Sequence, residues 1–344
     1  MREKHGCLGF LLRATLVFFL AALIAGAVAL ALTLAFQKTL FTGAIALIRL
    51  EEPIYSSRDI VEAIAKAGKN DHVKALLLRI DSPGGAVGAS EEIYREVLRV
   101  NEERKKPVIV SMGNIAASGG YYVALAANEI YANTGTITGS IGVIATDFEL
   151  QQLLELLRIK PNVIKSGEHK DTGSPLREMT TEERQLLQRL VFNLHRQFVR
   201  EVIWRRHTQI EKATDLDTER VSEILATTVT KSATKAIEQM AFDTVELARE
   251  TGVSTQTVEI VKLMADGRIF TGEQAYSLGL IDRIGNLEDA RKRAAQLAGV
   301  SPNTPLTDFT PRKGLSSFLG IGERLGNQNV VVSFFRTAFG WEFH

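Results

Sequence analysis

The sequence has little cysteine, no clustered histidine and almost no net charge, and each absence excludes a class of function. Its 344 residues contain one cysteine, Cys7, so neither a disulfide framework nor a cysteine metal site can form within the chain. The six histidines lack spacings such as His-Glu-x-x-His, so we expect no metal site. Forty-one basic residues against forty acidic ones give a net charge of +1, which provides no electrostatic reason to expect a nucleic-acid partner.

One long apolar segment is present near the start of the sequence. Residues 14–36 contain no charged side chain, and as a helix they would extend about 35 Å, enough to cross a bilayer. Arg2, Lys4 and Arg13 precede the segment, whereas only Lys38 follows closely. By the positive-inside rule we expect a single-pass anchor in the cell membrane, with residues 1–40 as cytoplasmic N-terminus and transmembrane helix and the rest outside the cytoplasm.

This apolar segment is also compatible with two other structures. A cleaved signal peptide is the main alternative, since small residues such as Ala25, Ala27 and Ala29 resemble a cleavage site, but the apolar run continues beyond them. A buried core helix is disfavoured because the segment has no polar face at any periodicity. The sequence therefore favours a membrane anchor.

Beyond residue 43 the pattern is typical of an α/β fold. Strands are predicted at 44–50, 73–80, 108–111, 130–132, 141–145 and 163–165, and helices near 57–67 and 88–104. Turn residues separate these segments, so we expect a parallel or mixed sheet covered by helices. A long helix is predicted from Thr180 to about Arg206, with Glu183 completing a capping box. In the last forty residues, 315–325 has weak amphipathic character, and we expect a tail packed on the domain.

A serine lies where a strand turns into a helix, in the segment Ala116 to Gly120. At such a position the helix dipole and the following amide favour an oxyanion on an attacked carbonyl, and small neighbours allow close approach of a substrate. This pattern indicates Ser118 as a candidate nucleophile. The same residues also suit a simple helix cap, so the motif alone does not identify an enzyme.

A second glycine turn, Asp81 to Gly85, follows another predicted strand. Two such turns at neighbouring strand ends can supply paired amides to one oxyanion. The turn lacks the Gly-Lys-Ser/Thr ending of a phosphate loop and the Gly-x-Gly-x-x-Gly spacing, so we expect no nucleotide cofactor.

The general base has two adjacent candidates, His169 and Lys170. In an extended segment neighbouring side chains point to opposite faces, so only one of the two is expected to reach Ser118. Histidine is the more common base, whereas a lysine can serve when desolvation favours its neutral amine. The spacing alone leaves both open.

Five blocks, in this order, resemble the signal peptide peptidase A family in its short, single-core form. The blocks are Leu77 to Gly85, Ala117 to Tyr122, Thr138 to Val143, Ser166 to Asp171 and Ala265 to Gly272. The resemblance implies Ser118 as nucleophile, Lys170 as base, the amides of Gly85 and Gly119 as the oxyanion hole, and Ser140 as the residue that orients the lysine. A turn residue that only holds its own backbone is the alternative for Ser140.

The same resemblance implies a Clp protease and crotonase-like spiral of ββα units, assembled into a homo-oligomeric ring in which Ser and Lys can come from neighbouring subunits. It implies a serine endopeptidase that needs no cofactor and cleaves remnant signal peptides and other apolar peptides at the membrane. The expected organisation is an anchor at 1–40, a catalytic core at 41–206, an inserted helical segment at 207–254, the rest of the core at 255–300 and a tail at 301–344. The inserted segment is longer than the family pattern leads us to expect.

Two rival functions remain at this stage. A crotonase-like acyl-CoA enzyme could use the same pair of glycine-turn amides, although a location outside the cytoplasm argues against a CoA substrate. An inactive ring-forming membrane scaffold would keep the fold without the chemistry, although the presence of both Ser118 and Lys170 argues against it.

Overall fold

A computed structural model describes residues 4–40, 43–228 and 243–311 of the chain. The helices are α1 (Lys4–Leu40), α2 (Arg58–Lys69), α3 (Val87–Leu98), α4 (Gly119–Ala124), α5 (Gln151–Leu156), α6 (Thr181–Leu216), α7 (Thr218–Thr228), α8 (Thr244–Thr251), α9 (Thr255–Met264), α10 (Gly272–Ser277) and α11 (Leu287–Leu297), with a π-helical turn at Arg99–Glu103 and a 3-10 turn at Glu168–Asp171. The strands are β1 (Ala44–Glu51), β2 (Val73–Ser82), β3 (Val108–Ala117), β4 (Glu129–Ala132), β5 (Ile137–Gly139), β6 (Ile269–Thr271), β7 (Arg283–Ile284) and β8 (Leu306–Asp308).

The eight strands form one mixed sheet: six have the order β6-β5-β3-β2-β1-β8, and β4 pairs with β3 and with β7 beside this path. Every pair is parallel except β5 with β6. Strand β3 has two successive partners on one side. Its first half pairs with β4 through Ile109–Ser111, and its second half pairs with β5 through Ile115–Ala117. This split carries the end of β3 away from β4 and toward the turn that contains Ser118.

The sheet is buried on both faces because its central strands are nearly continuous apolar runs. Alternate residues such as Ile48, Leu78 and Val110 pack into the larger core under the helices. Their neighbours on the opposite face, such as Leu47 and Leu77, pack with residues of α11 into a second, smaller core. The α/β prediction is therefore confirmed.

Several predicted elements agree closely with the structure, and two strands do not. Thr180 caps α6 in a capping box with Glu183, as the sequence predicts. The predicted strands at 141–145 and 163–165 are wrong, because both segments are irregular. Strand β5 already pairs on its free side with β6, and the positive φ of 50° at Ser140 turns the chain out of the sheet.

The predicted domain limits lie partly within continuous elements. Helix α6 runs through the expected boundary between 206 and 207 without a break. Strand β8 belongs to the expected tail and pairs in parallel with β1. The amphipathic segment predicted at 315–325 lies outside the described residues.

Helix α1 has the length and composition of a membrane-crossing helix. Its segment Thr15–Thr33 has a mean hydropathy of 2.6, and none of it is buried against the rest of the described chain. A signal sequence shares these properties, so the helix itself does not distinguish an anchor from a leader.

Candidate active site

Ser118 occupies a strained turn between β3 and α4. Its φ of 51° and ψ of −121° are values that glycine adopts readily and serine rarely does, which costs roughly 1–3 kcal/mol and persists only where the surroundings enforce it. The surroundings do so here, since the Ser118 amide donates to the carbonyl of Gly139 at 2.9 Å and the Ser118 carbonyl accepts from Tyr122 at 2.9 Å. The serine is thus held at a sharp strand-to-helix turn, an arrangement that exposes the nucleophilic serine in α/β-hydrolases.

The two glycine turns predicted to act together are in contact. Gly84 has a φ of 96°, and a Cβ on it would lie 2.5 Å from the Gly119 nitrogen and 2.9 Å from the Ser118 Cβ. The backbone therefore approaches Ser118 as closely as only glycine permits.

Both candidate oxyanion donors have amides that are not used by the neighbouring backbone structure. Gly119 is the first residue of α4, where an amide has no acceptor within the helix. The bridge between Gly85 and Ile54 uses the Gly84 carbonyl and the Ala86 amide, so it leaves the Gly85 amide aside. Two backbone donors beside one serine can stabilise an oxyanion.

A pocket opens directly beside Ser118 and these amides, between α3, α4, the start of the segment after Ser140, and α6. Its lining residues are Gly85, Val87, Ser90, Glu91, Ser118, Gly119, Tyr122, Gly142, Val143, Leu194, Gln197 and Phe198. The Tyr122 ring packs edge-on against Phe198, with ring centroids 5.1 Å apart. Burial raises the pKa of the Tyr122 hydroxyl above its usual range, so the Tyr122 side chain stays uncharged at neutral and moderately basic pH. The pocket suits an apolar side chain.

Ser140 lies near Ser118 through the backbone. It directly follows Gly139, whose carbonyl binds the Ser118 amide, and its own amide donates to the carbonyl of Arg268 at 2.7 Å. The side chain of Arg268 in turn binds Asp266. The predicted blocks around 118, 140 and 268 therefore meet at one place.

Lys170 does not join this group within the chain. It lies in the 3-10 turn Glu168–Asp171, is exposed, and is absent from the lining of the pocket beside Ser118. Neither the Ser118 hydroxyl nor the Lys170 amine forms a hydrogen bond to another residue in the ranges that the structure describes. His169, the residue before Lys170, is partly exposed, and the Nε2 atom of His169 lies 3.9 Å from the carboxylate of Glu182.

Between the pocket and the Lys170 turn lies a segment in which the sequence predicted only two short strands, neither of which forms. Residues 143–166, here called the arm, include α5, which has no buried residue. Most of the arm's large apolar side chains are exposed, namely Ile144, Phe148, Leu153, Leu156, Leu157, Ile159, Val163 and Ile164. Their apolar character was visible in the sequence, but their failure to form strands or a core was not.

Comparison with known proteins identifies the class. The family model "Peptidase family S49" matches residues 101–225 and 236–301, a range that includes Ser118, Ser140 and Lys170. The chain belongs to peptidase family S49 and is a serine-type peptidase.

Individual relatives agree with this class. A "Putative protease" of Synechocystis is 41% identical over 70% of this chain and 70% of its own length. The chloroplastic serine protease SPPA of Arabidopsis thaliana is 32% identical over 80% of this chain and 34% of its own length. A "Putative signal peptide peptidase SppA" of Enterococcus faecium is 30% identical over 74% of this chain and 58% of its own length.

Proposed function

We propose that this chain is a membrane-anchored serine endopeptidase in which Ser118 attacks the peptide carbonyl and Lys170 acts as the base. The observation that carries the proposal is the strained position of Ser118 at the edge of a pocket, beside the amides of Gly85 and Gly119. Strain at a single serine beside two available backbone donors is a common feature of nucleophile turns.

Each proposed step assigns one task to each residue. The Ser118 Oγ bonds to the carbonyl carbon while its proton passes to the neutral amine of Lys170. The developing oxyanion accepts hydrogen bonds from Gly85 and Gly119. The protonated lysine then gives its proton to the leaving amine, which yields an acyl-enzyme, and water activated by the same lysine releases the acid. Ser140 orients the lysine amine.

The base reaches Ser118 from a second copy of the chain. Two features support this part of the proposal: the lysine is absent from the pocket of its own chain, and the arm that leads to it exposes apolar side chains. Contiguous exposed apolar surface is typical of protein interfaces. Docking of the arm on a neighbouring copy would bury these side chains and bring Lys170 to the neighbour's Ser118.

The substrates are proposed to be apolar peptides at the membrane, with remnant signal peptides as the principal class. The apolar part of the pocket lining, which includes Val87, Tyr122 and Phe198, supports an apolar side chain next to the cleaved bond. Helix α1 would hold the enzyme in the membrane, with its N-terminus in the cytoplasm and the catalytic domain outside. Proximity to the bilayer would favour substrates that already lie there.

The decisive experiment combines two inactive variants. Ser118→Ala and Lys170→Ala are each expected to lose peptidase activity, and a serine-reactive fluorophosphonate should label the wild type but neither variant. If the pair forms between copies, co-assembly of the two variants restores part of the activity, because some neighbours then combine an intact serine with an intact lysine. Full activity of either single variant would refute the assignment of that residue.

The mixture also tests the arrangement of the pair separately. Loss of activity in both variants without any recovery on mixing would keep the two roles and place the pair within one chain. Acyl-CoA turnover that survives Ser118→Ala would instead favour the crotonase-like alternative.

A further inference from the structure

Four charged side chains fasten the turn that carries Lys170 to the start of α6. Asp171 accepts from Lys165 Nζ at 2.6 Å and from Arg177 Nε at 2.9 Å. Arg177 also donates through its Nη1 to Glu183 at 2.8 Å. We call Lys165, Asp171, Arg177 and Glu183 the clamp.

The acids of the clamp are more deeply placed than its bases. The side chains of Glu183 and Asp171 are 5% and 12% exposed, against 31% and 35% for Arg177 and Lys165. Glu183 also completes the capping box of α6 by accepting from the Thr180 amide. Because charge-assisted pairs of this kind hold their geometry tightly, the clamp fixes the turn to the first residues of a long helix.

The clamp contains two cations and two anions and is neutral as a unit. Hydrogen bonds from Arg177, followed by those from Lys165, hold the pKa of Asp171 well below its usual range. Arg177, followed by the Thr180 amide, does the same for the pKa of Glu183. Both carboxylates of the clamp therefore stay ionised at neutral pH, and the two acids raise the pKa of Arg177 in return.

This neutrality matters because Asp171 is the next residue after Lys170. An uncompensated carboxylate beside a lysine stabilises the ammonium form, whereas a general base must be neutral to accept a proton. The other charged groups at the turn are Glu168, His169 and Glu182, of which the last two face each other. Lys165 and Arg177 provide the only cations that bind the Asp171 carboxylate in the described part of the chain.

We propose that Arg177 is a positioning residue that, together with Lys165, neutralises Asp171, so that the carboxylate next to Lys170 does not stabilise the protonated form of the lysine. This inference rests on the proposed role of Lys170 as the base. It assigns to the clamp both the placement of the turn and the position of the acidic limb in the pH profile.

The test uses two substitutions that change the charge of the clamp in opposite directions. Arg177→Gln leaves one excess negative charge, so the acidic limb of kcat/KM should move to higher pH by about half a unit. Asp171→Asn leaves one excess positive charge, so the limb should move to lower pH by a similar amount. Both shifts should shrink as salt is added, because Lys165 and Arg177 are partly exposed to solvent.

A double substitution separates charge from geometry. Arg177→Gln combined with Glu183→Gln restores neutrality without restoring the arginine contacts, and a glutamine at this position retains the capping box. The acidic limb should then return to its wild-type position even if kcat stays low. Arg177→Lys, which keeps the charge but not the planar fork, should also leave the limb in place.

Arg196→Gln is the matched control, because it removes the same side chain from another acidic pair, with Glu246 and Glu250, about 20 Å further along α6. Arg196→Gln should not move the acidic limb.

The inference is wrong if Arg177→Gln and Asp171→Asn shift the limb in the same direction or not at all while Lys170→Ala remains inactive. If Lys170→Ala is active, the proposed function fails first. If Arg177→Gln does not fold, Asp171→Asn alone tests the inference: the acidic limb should move to lower pH, and an unchanged limb would overturn the inference.

Discussion

The backbone amide of Ser118 donates a 2.9 Å hydrogen bond to the carbonyl of Gly139, the residue that precedes Ser140. Ser140 is bound in turn to the carbonyl of Arg268. Segments 150 residues apart in sequence thereby support one turn. The strain at Ser118 is maintained by this backbone network, so it should appear in the stability of variants as well as in their activity.

Substitution of Ser118 by glycine and by alanine should affect stability differently, although both variants are expected to lose catalysis. The backbone at 118 has a positive φ that glycine adopts without strain, so Ser118→Gly should be more stable than Ser118→Ala by about 1 kcal/mol. Urea denaturation of the two variants measures the difference. Equal unfolding free energies would mean that the turn relaxes when the serine is removed.

The rim of the pocket should control the choice of substrate. Val87 is the first residue of α3 and is 41% exposed at the pocket mouth. Val87→Asp should reduce kcat/KM for peptides with an apolar side chain at the cleaved bond by about 10- to 100-fold, because it replaces an apolar contact by a second acidic side chain beside Glu91. An aspartate suits the first turn of a helix, so folding should be unaffected. Val87→Ala, which removes the side chain without adding a charge, should reduce kcat/KM much less.

The arm should be needed for assembly and activity together. Ile164 is 94% exposed, so Ile164→Asp should leave the fold of the single chain intact but weaken association with a second copy. The sedimentation coefficient and the rate of peptide cleavage, measured on the same preparation, should both decrease. Val245→Asp introduces the same charge at an exposed apolar position outside the arm and should change neither. An active Ile164→Asp monomer would contradict the docking proposal.

The ion pair between Arg206 and Asp282 should be far more important for stability than exposed pairs. Arg206 is 3% exposed, and Asp282 also accepts from the amide of Ile130 at 2.7 Å. Asp282→Ala leaves a buried guanidinium without its carboxylate, which should cost about 3–5 kcal/mol of unfolding free energy. Arg95→Ala, which breaks an exposed pair with Glu91, should cost about 0.5 kcal/mol or less. Urea unfolding compares the two.

Acid should destabilise the fold through His195. Burial lowers the pKa of His195 below its usual value, and hydrogen bonding with the backbone of Ala265 and Ile141 only partly opposes this effect. A lowered folded-state pKa means that the unfolded chain binds the proton more readily. The stability contribution is therefore complete above about pH 6.5 and is lost as the pH falls through the lower folded-state value. His195→Asn should show a smaller decrease in unfolding free energy between pH 7.5 and 5.

Much of this architecture could be predicted because its signals are local. The apolar runs of β1 and β2 and the capping box of α6 depend on residues that are close in sequence, and all three were predicted near their observed limits. The short strands β5 and β6 were not predicted, since three residues carry little periodicity and the pairing between them joins distant segments.

In the candidate site, too, the parts that depend on regular structure could be predicted and the parts that depend on side-chain contacts could not. Ser118 and the two glycine turns belong to strand ends, and parallel strands bring their ends together, so their proximity follows from the fold. The turn at Lys170 is held by side-chain charges and follows an irregular exposed segment, which no periodic pattern describes. A single sequence therefore indicates the residue types of the site better than it indicates the distance between them.

Helix α6 extends about 54 Å over its 36 residues, and three separate tasks are spaced along it. Its first turn anchors the clamp, its middle supplies Leu194, Gln197 and Phe198 to the pocket, and Arg206 further on holds Asp282. Each added or deleted residue would rotate everything beyond it by about 100°. An insertion or deletion of one residue between Glu183 and Leu194 would therefore turn the pocket wall away from the clamp without changing a single side chain of either.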